Sequence, residues 1–363
     1  MKILCFIDSL GSGGAQRQLI ELAIGFKESG NEVGILVYHD INFFKSDLEQ
    51  AGISVKIIIE ANYFKRIFLI RNFIRSYKPD VLLSFLEGVN FIATLSGFPF
   101  RSWKLVVGER SANPGILKNK KLRFYRFFHL FADYIVANSK ANLNLVFQIN
   151  PFINHKKCKV IYNSVRLSTY PIQLNNVESE IVNIVIAASY RDVKNLHGLI
   201  LAIASMKSSD KRRLKINWFG DKNVNGNSNY FQNSIKLIKE FNLEEIIKLN
   251  DVTDNIQAEY YKADFVGLFS HYEGFPNTIC EAMALGLPVL SSKISDIPFF
   301  IKEDINGFLC DSYSHNSINK MLLKAINSNI INRSEMGINN FILANKNFNR
   351  NSIIESYLKL FIN

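Results

Sequence analysis

Cysteine is scarce in this chain of 363 residues, and long apolar stretches are missing. The four cysteines lie far apart with no CxxC pair, a spacing that fits neither a zinc ribbon nor a disulfide framework. No uncharged apolar run reaches the roughly 18 residues that a membrane-spanning helix needs. The opening MKILCFID lacks the small-residue cleavage site of a signal peptide. Together these absences favour a reduced protein of the cytoplasm.

Composition and charge further limit the class of protein to which the chain can belong. Hydrophobic residues make up 48% of the chain, which is enough for two ordinary cores and excludes disorder as the main state. The length suggests two domains. Residues 1–180 hold 23 basic and 14 acidic side chains, whereas the remainder holds 20 and 18. We therefore expect the first half to attract an anionic partner, and the lack of an RNA-binding signature argues against nucleic acid.

Short apolar runs alternate with helical patterns in two series, which predicts βαβ units and parallel sheets. The first series runs from KILCFI to KVIYN at about residue 163, and the second runs from IVNIVIAAS to NGFLC. Two parallel α/β domains leave a cleft between the carboxyl ends of their strands, where ligands of such sheets bind. We predict domains over 1–168 and 181–345, a linker over 169–180, and a helical tail over 346–363 that packs on the first domain.

A glycine-rich turn follows the first predicted strand in DSLGSGGAQRQ, residues 8–18. Glycines such as Gly13 and Gly14 allow backbone N–H groups to approach a bound anion at the positive end of the next helix. The dinucleotide-binding pattern GxGxxG fails because its last position is Gln16, and no Gly-Lys-Ser/Thr follows as in a phosphate-binding loop of the Walker type. A purely structural glycine turn before a helix remains an equal alternative.

The segment SHYEGFPNTICEAMALGLPVLSS, residues 270–292, is more specific. Glu273 is predicted in the turn after a strand, Asn277 at the cap of a helix, Glu281 one turn in, and Gly286 at the helix end. Free N–H groups at this helix start suit phosphate oxygens flanked by sugar hydroxyls. The residues expected around the phosphates are Gly274, Phe275, Pro276, Asn277 and Thr278. For Glu281 alone, a simple response to the helix dipole would be the better interpretation.

EGFPNTICEAMALGLPV, with seven residues between its two glutamates, resembles the signature of retaining nucleotide-sugar glycosyltransferases of family 4. These enzymes have the GT-B fold of two facing Rossmann-like domains. GGAQRQ resembles the family's N-terminal glycine loop, KVIYNSV the segment before its linker, and ASYRDVKN its donor-phosphate motif. The four matches lie in the family's order and cover nearly the whole chain. The resemblance implies that Glu281 holds the donor ribose and Glu273 the transferred sugar.

The basic motif AASYRDVKN places Arg191 and Lys194 in a predicted turn at a strand end, where two cations can neutralise a departing diphosphate. Many relatives carry an arginine five residues before the lysine, a position that is Ser189 here, and others carry a Phe-Arg-x-x-Lys form that matches better. Lys194 is therefore the firmer assignment. The loop around Val252 resembles one that runs by the nucleotide base, where we expect backbone contacts. The alternative is a solvated turn of mixed charge.

Where many relatives have a histidine near the donor sugar, the segment VVGERSANPG has Glu109 and Arg110. Either residue would contact the sugar or the acceptor, or the two would form a buried pair, and the sequence favours neither reading. No DxD sequence is present to hold a divalent ion on a nucleotide diphosphate. This agrees with the metal-independent chemistry typical of the GT-B fold, so we expect no metal and no cofactor beyond the donor, a UDP- or GDP-sugar.

Two segments, YFKRIFLIRNFIRSYK at 63–78 and LKNKKLRFYRFFHLF at 117–131, combine basic and aromatic residues. Such a composition suits contact with an anionic membrane surface. The cations expected to face the membrane are Lys118, Lys120, Lys121, Arg123 and Arg126. The alternative is a pair of ordinary amphipathic helices with aromatic residues in the core and cations in solvent.

The function expected from these features is transfer of a hexose or N-acetylhexosamine to a lipid-linked saccharide in surface polysaccharide synthesis. The enzyme would be peripheral on the inner face of the cytoplasmic membrane. A nicotinamide-dependent oxidoreductase or epimerase is an alternative, but Gln16 argues against it and Asp40 after the second strand supports it only weakly. A non-catalytic glycan-binding scaffold is another, against which the intact Glu273, Glu281 and Lys194 count.

Overall fold

Two parallel β-sheets organise the computed structural model, which describes residues 1–165, 179–224 and 226–362. The chain divides into two compact units, one formed by Met1–Ser164 with Arg350–Asn363 and the other by Val165–Asn349. This is the α/β class predicted from the sequence. Most of the predicted linker, 169–180, lies outside the described residues. None of the helices formed by the described residues has the length and apolarity needed to cross a bilayer.

The first unit holds seven strands and seven helices among its described residues, besides short 3-10 turns. Strands such as VLLSF are buried along their whole length, as expected for a parallel sheet covered on both faces. In chain order the elements are β1 (Lys2–Phe6), α1 (Gly14–Glu28), β2 (Glu32–Val37), α2 (Lys45–Gln50), β3 (Ser54–Ile57), α3 (Tyr63–Tyr77), β4 (Val81–Phe85), α4 (Glu87–Ser96), β5 (Lys104–Glu109), α5 (Lys120–Phe127), β6 (Tyr134–Ala137), α6 (Lys140–Ile149) and β7 (Cys158–Val160). The remaining helix comes from the C-terminus.

The second unit holds six strands and eight helices in its described part. They are β8 (Val182–Ala187), α7 (Leu196–Ala204), α8 (Ser208–Lys211), β9 (Leu214–Phe219), α9 (Asn229–Glu240), β10 (Ile247–Asn250), α10 (Ile256–Tyr260), β11 (Phe265–Leu268), α11 (Asn277–Ala284), β12 (Val289–Ser292), α12 (Ile297–Phe300), β13 (Gly307–Cys310), α13 (His315–Asn327) and α14 (Ile330–Asn347). No strand follows β13 in the described residues, as the sequence predicts.

Strand β10 is missing from the sequence-based series. Its segment IKLN is short, contains a lysine, and pairs on one side only with β9, at the edge of the sheet. An edge strand that is half solvated carries neither the continuous apolar run nor the clean alternation by which buried strands are recognised.

The C-terminal helix α15 (Arg350–Ile362) belongs to the first unit, although the chain has passed through the second. The Phe361 ring lies 5.2 Å from the Phe26 ring of α1. The Arg350 guanidinium contacts Glu21 at 3.3 Å and Glu28 at 2.5 Å, also on α1. Apolar packing and ion pairing thus hold α15 on α1, four residues later in the chain than the predicted tail begins.

Each sheet has one switch point, the place between two neighbouring strands where the strand order changes direction. The first sheet runs β3-β2-β1-β4-β5-β6-β7, and the second runs β10-β9-β8-β11-β12-β13. The loops after β1 and β4, and those after β8 and β11, therefore leave their sheets on opposite faces and open a crevice at the carboxyl ends of the strands. Ligands of open α/β sheets bind in such crevices.

Candidate active site

Lys194 and Glu273 meet at the switch point of the second sheet. Lys194 follows β8, Glu273 follows β11, and these two strands are neighbours in the sheet. The Lys194 Nζ lies 2.5 Å from Glu273 Oε1, and the two side chains are 22% and 17% exposed. The sequence predicted separate partners for these residues, a diphosphate for one and a sugar for the other. The structure brings them into one ion pair that is still open to solvent.

Local structure fixes both members of this pair. Lys194 ends a one-turn 3-10 helix, Asp192–Lys194, and the next residue, Asn195, has φ +61° and caps α7 with its side chain. The Asn195 Nδ2 also donates to Ser312 O at 2.8 Å, which ties the turn to the loop after β13. On the other side, Ser270 Oγ donates to Glu273 Oε1 at 2.8 Å. Ser270 and Asn195 are thus supporting residues that the motifs did not identify.

The N-terminus of α11 lies directly after Glu273. The helix begins at Asn277, and its cap position is Pro276, which has no capping side chain. The prediction that Asn277 caps the helix is wrong by one residue, because Pro276, with φ −78° and ψ 126°, holds the extended backbone of the cap position and Asn277 is already helical. No side chain caps this helix start, and the positive end of a helix is suited to an anionic ligand.

Neighbouring contacts hold this helix start in place. Gly274, Phe275 and Pro276 are buried, and Asn277 and Thr278 are half-buried. Ser295 Oγ donates to Gly274 O, and Thr278 Oγ1 donates to Ala187 O at 3.2 Å, at the end of β8. The predicted phosphate-facing segment is therefore rigidly attached to the sheet. As predicted, α11 ends just before Gly286, whose φ is +71°.

Glu281 and Arg191 differ in exposure. Glu281 lies one turn into α11 and is only 6% exposed. Arg191 is exposed in the turn before Lys194, and its backbone carbonyl accepts the Lys194 N–H at 2.9 Å. The structure thus places Lys194, but not Arg191, in contact with Glu273.

The loop after β10 presents Val252, which is 49% exposed. Its neighbour Asp251 pairs with Lys222 of the loop after β9 at 2.7 Å. The Tyr190 hydroxyl donates to Asn250 O at 2.8 Å and so fixes the base of this loop. Burial raises the pKa of Tyr190, which keeps this hydroxyl a donor. These contacts place the Val252 loop at the same carboxyl edge as Lys194.

His271 lies beside this site without joining a metal centre. Its ring stacks on Tyr313 with centroids 4.3 Å apart, and its Nδ1 lies 3.2 Å from Ser312 Oγ. Among the described residues, no group of three or more histidine, cysteine, aspartate or glutamate side chains is arranged to hold a metal ion.

In the first unit, the glycine turn is closed by a side chain. Gly13 is the cap residue of α1 and Gly14 its first residue. Gln16 Nε2 donates to Asp8 Oδ1 at 2.9 Å, so the residue that breaks the dinucleotide pattern ties the turn to the end of β1. Asp8 thereby presents a carboxylate at the switch point of this sheet.

Glu109 and Arg110 do not pair with each other. Glu109 is 1% exposed and its Oε2 lies 2.5 Å from Arg126 Nη2. The Arg110 guanidinium lies 3.8 Å from the Phe85 ring centroid and donates to the Tyr357 hydroxyl of α15 at 2.6 Å. The sequence left open whether Glu109 contacts a ligand or forms a buried pair with Arg110. The structure shows a buried pair, but the partner of Glu109 is Arg126, seventeen residues away in the sequence.

The expected membrane contact of Arg126 is wrong. Its side chain is 1% exposed, because Tyr125, Arg126 and His129 lie on the buried side of α5 and of the turn that follows it. Although burial opposes it, the carboxylates of Glu109 and Glu87 raise the pKa of Arg126. The other four cations of this segment, Lys118, Lys120, Lys121 and Arg123, are exposed.

Comparisons with known proteins agree with this geometry. Residues 12–169 match the family model described as Glycosyltransferase Family 4, and residues 171–341 match the model described as Glycosyl transferases group 1. Both describe glycosyltransferases, which favours this class over an oxidoreductase or epimerase.

Two curated relatives come from Campylobacter jejuni. One is an α-1,4-N-acetyl-D-galactosaminyltransferase named for GalNAc-α-(1→4)-GalNAc-α-(1→3)-diNAcBac-PP-undecaprenol, and it is 27% identical over 99% of this chain and 98% of the relative. The other is the N-acetylgalactosamine-N,N'-diacetylbacillosaminyl-diphospho-undecaprenol 4-α-N-acetylgalactosaminyltransferase, 27% identical over 87% of this chain and 88% of the relative.

Solved structures share the fold at low identity. HepE of Anabaena, in complex with UDP and glucose, superposes with a TM-score of 0.86 at 21% identity, over 99% of this chain and 98% of that chain. The sucrose-phosphate synthase of Thermosynechococcus elongatus gives a TM-score of 0.81 at 14% identity, over 100% and 98% of the two chains. With the two family models spanning most of the sequence, these findings show that the chain belongs to the glycosyltransferases of family 4 and has the GT-B fold.

Proposed function

We propose that this glycosyltransferase retains the anomeric configuration as it moves a hexose or N-acetylhexosamine from a nucleotide diphosphate sugar to a lipid-linked saccharide. The product would enter a surface polysaccharide such as an O-antigen, a capsule or an exopolysaccharide. The observation that carries the proposal is the Lys194–Glu273 contact of 2.5 Å at a sheet switch point, beside the uncapped start of α11. A cation, a carboxylate and a helix N-terminus are parts suited to a sugar diphosphate.

The diphosphate is assigned to Lys194 and the N-terminus of α11. An ammonium has three donors, so Lys194 can keep its bond to Glu273 and still donate to a phosphate oxygen. Arg191 is exposed three residues earlier and supplies the second cation. These fixed charges stabilise the negative charge that develops on the leaving group, so the proposal needs no metal ion.

The rest of the donor is assigned to three neighbouring positions. Glu281, which is nearly buried on α11, accepts hydrogen bonds from the ribose hydroxyls. Glu273, more exposed, accepts from a hydroxyl of the transferred sugar. The backbone of the Val252 loop contacts the base. Because the HepE complexes contain UDP, and both Campylobacter relatives are named as N-acetylgalactosaminyltransferases, UDP-N-acetylhexosamines are the first donors to test.

Retention is assigned to front-side attack. The bond from the anomeric carbon to the β-phosphate oxygen breaks, and the acceptor hydroxyl forms the new bond on the same face. The acceptor proton passes to the departing phosphate oxygen. The protein contributes positioning and charge stabilisation, the two effects that fixed groups such as Lys194 and Glu273 provide.

The acceptor is assigned to the first unit, which carries the excess of positive charge. The glycine loop with Gly13, Gly14 and Gln16 lies at its switch point. The four exposed cations of residues 118–123 stand beside Phe124 and Phe127, which are 55% and 48% exposed. Exposed aromatic rings among cations suit the headgroup region of an anionic membrane. We therefore place the enzyme on the inner face of the cytoplasmic membrane.

A donor panel tests the proposed reaction. The purified protein is incubated with UDP- and GDP-sugars, nucleotide diphosphate release is measured, and the anomeric configuration of the product is read by proton NMR. We expect turnover with at least one UDP-sugar and an α-product from an α-donor. An inverted product would overturn retention, and release from no donor would overturn the function.

Vesicle sedimentation tests the membrane assignment. Each cation near an anionic surface contributes up to about 1 kcal/mol, and the attraction is screened within about 8 Å at physiological salt. We expect the protein to sediment with anionic vesicles, to leave them at high salt, and to ignore neutral vesicles. Reversing Lys118, Lys120 and Lys121 to Glu should abolish sedimentation, slow transfer to a lipid-linked acceptor and spare donor hydrolysis.

The matched control reverses the same number of charges in the second unit, at Lys236, Lys239 and Lys248, which are also exposed. We expect this control to sediment like wild type. If the first triple variant also sediments like wild type, the segment is an ordinary solvated helix.

A further inference from the structure

The switch point of the first sheet carries a carboxylate that no motif marks. Strands β1 and β4 are neighbours there, with β2 on one side and β5 on the other. Asp8 follows β1, and Glu87 is the first residue of α4, directly after β4. This is the position in the first unit that Lys194 and Glu273 occupy in the second.

A buried ion pair, Arg126 with Glu109, holds the Glu87 side chain in place. The Arg126 Nη2 donates to Glu87 Oε1 at 2.9 Å and to Glu109 Oε2 at 2.5 Å. The side chains of Arg126 and Glu109 are 1% exposed, whereas that of Glu87 is 21% exposed. Of these three groups, Glu87 alone reaches solvent. The buried pair therefore fixes the orientation of one accessible carboxylate.

The backbone before Glu87 is strained. Leu86 has φ +80° and ψ 144°, a region that residues with a side chain rarely occupy. The Leu86 side chain packs against both apolar cores of the first unit, which keeps the residue in this conformation. Strained residues of this kind cluster at active sites and ligand-binding sites.

Three tyrosines connect Glu87 to the glycine turn: Tyr38 and Tyr63 are half-buried, and Tyr125 is buried. Tyr125, on α5, lies 4.0 Å from the position that a side chain at Gly88 would take. Its hydroxyl is 3.2 Å from that of Tyr63 on α3. Arg66 lies 4.7 Å over the Tyr38 ring and 5.4 Å over the Tyr63 ring.

Backbone contacts close this row of side chains at its other end. The Tyr38 N–H donates to Asp8 O at 3.1 Å, and Asp8 in turn holds Gln16. The row thus runs from Asp8 past the tyrosines to Glu87, along the carboxyl edge of β2, β1 and β4.

The chemistry of this row selects a neutral ligand rich in hydroxyl groups. The carboxylates of Asp8 and Glu87 outnumber the one guanidinium of the row, that of Arg66, so the row disfavours a phosphate. All three groups can form hydrogen bonds with sugar hydroxyls. The half-buried Tyr63 offers a hydroxyl that can donate to a sugar hydroxyl or accept from it. A saccharide without charge fits this set of groups better than a diphosphate does.

We infer that Glu87 binds a hydroxyl of the acceptor saccharide, beside Tyr63 and Tyr125, and that Arg126 positions it from the core. The inference rests on the proposed function, since it identifies where the acceptor of that reaction binds. It adds a specificity-determining carboxylate, Glu87, and a positioning residue, Arg126, to the first unit.

The test compares Glu87→Gln with wild type and with the control Glu49→Gln, an exposed glutamate of α2. Acceptors are p-nitrophenyl α-N-acetylgalactosaminide, α-N-acetylglucosaminide and α-glucoside. Losing a hydrogen bond to a charged group should raise the acceptor KM of Glu87→Gln about tenfold to a hundredfold. Donor KM and donor hydrolysis without acceptor should match wild type, and the control should match wild type in every constant.

A binding measurement supports the kinetics. Saturation-transfer difference NMR with UDP present should detect a glycoside on wild type and lose that signal with Glu87→Gln. Arg126→Lys, which keeps the positive charge, should raise the acceptor KM less than Glu87→Gln and leave the donor KM unchanged. An effect of Arg126→Lys on fold alone would lower the concentration of active enzyme without moving KM.

The outcomes separate this inference from the proposed function. A protein that consumes no nucleotide sugar contradicts the proposed function. A protein that consumes the donor while Glu87→Gln keeps the wild-type acceptor KM overturns the inference. So does a wild type that binds none of the glycosides in either measurement.

Discussion

The two switch points share a topology and differ in which charge they expose. In the second unit the cation itself, Lys194, is accessible and pairs with Glu273 at the surface of the crevice. In the first unit the cation, Arg126, is buried, and the accessible group is the carboxylate of Glu87. One crevice is thus suited to an anion and the other to a neutral, hydroxyl-rich ligand. The same strand order serves either ligand, because the side chains after each strand decide the chemistry.

Replacing the buried cation should have the largest effect. Arg126→Met leaves Glu109 buried without its partner, and breaking a buried pair in this way costs about 3–5 kcal/mol of unfolding free energy. Urea denaturation measures the loss. The control is Arg123→Met on the exposed side of the same helix, which should stay within about 0.5 kcal/mol of wild type. Equal midpoints for the two variants would show that the Glu109 pair contributes nothing to stability.

Replacing the exposed cation should act on rate instead. We expect Lys194→Met to lower turnover about a hundredfold to a thousandfold, because it removes one fixed charge from the leaving diphosphate. Its unfolding free energy should change by at most about 1 kcal/mol, as for other solvent-accessible ion pairs. Lys262→Met, an exposed lysine of the same unit, is the control for turnover. Turnover abolished by EDTA and restored by manganese would contradict the metal-free role of Lys194.

Substitutions of the two motif glutamates should have different effects, one on nucleotide binding and the other on sugar transfer. Glu281→Gln should weaken the affinity for free UDP about tenfold to a hundredfold, since it removes charged hydrogen bonds to the ribose. Glu273→Gln should leave UDP affinity unchanged and lower turnover. Isothermal titration calorimetry measures the affinity, with Glu244→Gln, at an exposed glutamate of the same unit, as the control. Equal UDP affinity in wild type and Glu281→Gln would contradict the assignment of Glu281 to the ribose.

A buried histidine should make the first unit sensitive to acid. His129 faces Arg126, Glu109 and Glu87, and burial lowers its pKa to about 3. The unfolded histidine takes a proton below about pH 6.5 and the folded one does not, so this contribution to stability is complete above that pH and falls as the solution is acidified. By this linkage the loss at pH 5 is about 2 kcal/mol. Between pH 7.5 and pH 5, the unfolding free energy of His129→Gln should fall by less than that of wild type. The unfolding free energy of the exposed control His315→Gln should fall by as much as that of wild type.

The motif residues of the second unit could be identified from the sequence because they lie at strand ends within a contiguous pattern. The alternation of strands and helices gave the α/β class, and the spacing of Glu273 and Glu281 placed one in a loop and one on a helix. The contact of Lys194 with Glu273 was not predicted, because it joins residues 79 positions apart through the pairing of β8 with β11.

The site in the first unit was harder to predict, although two signals were present. Arg126 falls between Leu122 and His129 at helical spacing, which marks it as part of the buried face, but its charge favoured a solvent position. Glu87 ends the run DVLLSFLE, where an acidic residue at a strand end marks a candidate ligand contact. Tyr38, Tyr63 and Tyr125 come from three separate elements, so only the fold brings them together.

Two-substrate initial-rate kinetics test most directly the claim that one switch point serves the donor and the other the acceptor. Wild type, Lys194→Met and Glu87→Gln are compared while UDP-sugar and glycoside concentrations are varied independently. We predict that Lys194→Met lowers turnover and donor hydrolysis with the acceptor KM unchanged, whereas Glu87→Gln raises the acceptor KM with donor hydrolysis unchanged. If Glu87→Gln instead impairs donor hydrolysis, or both variants change the same constants, the division of labour between the two sheets is contradicted.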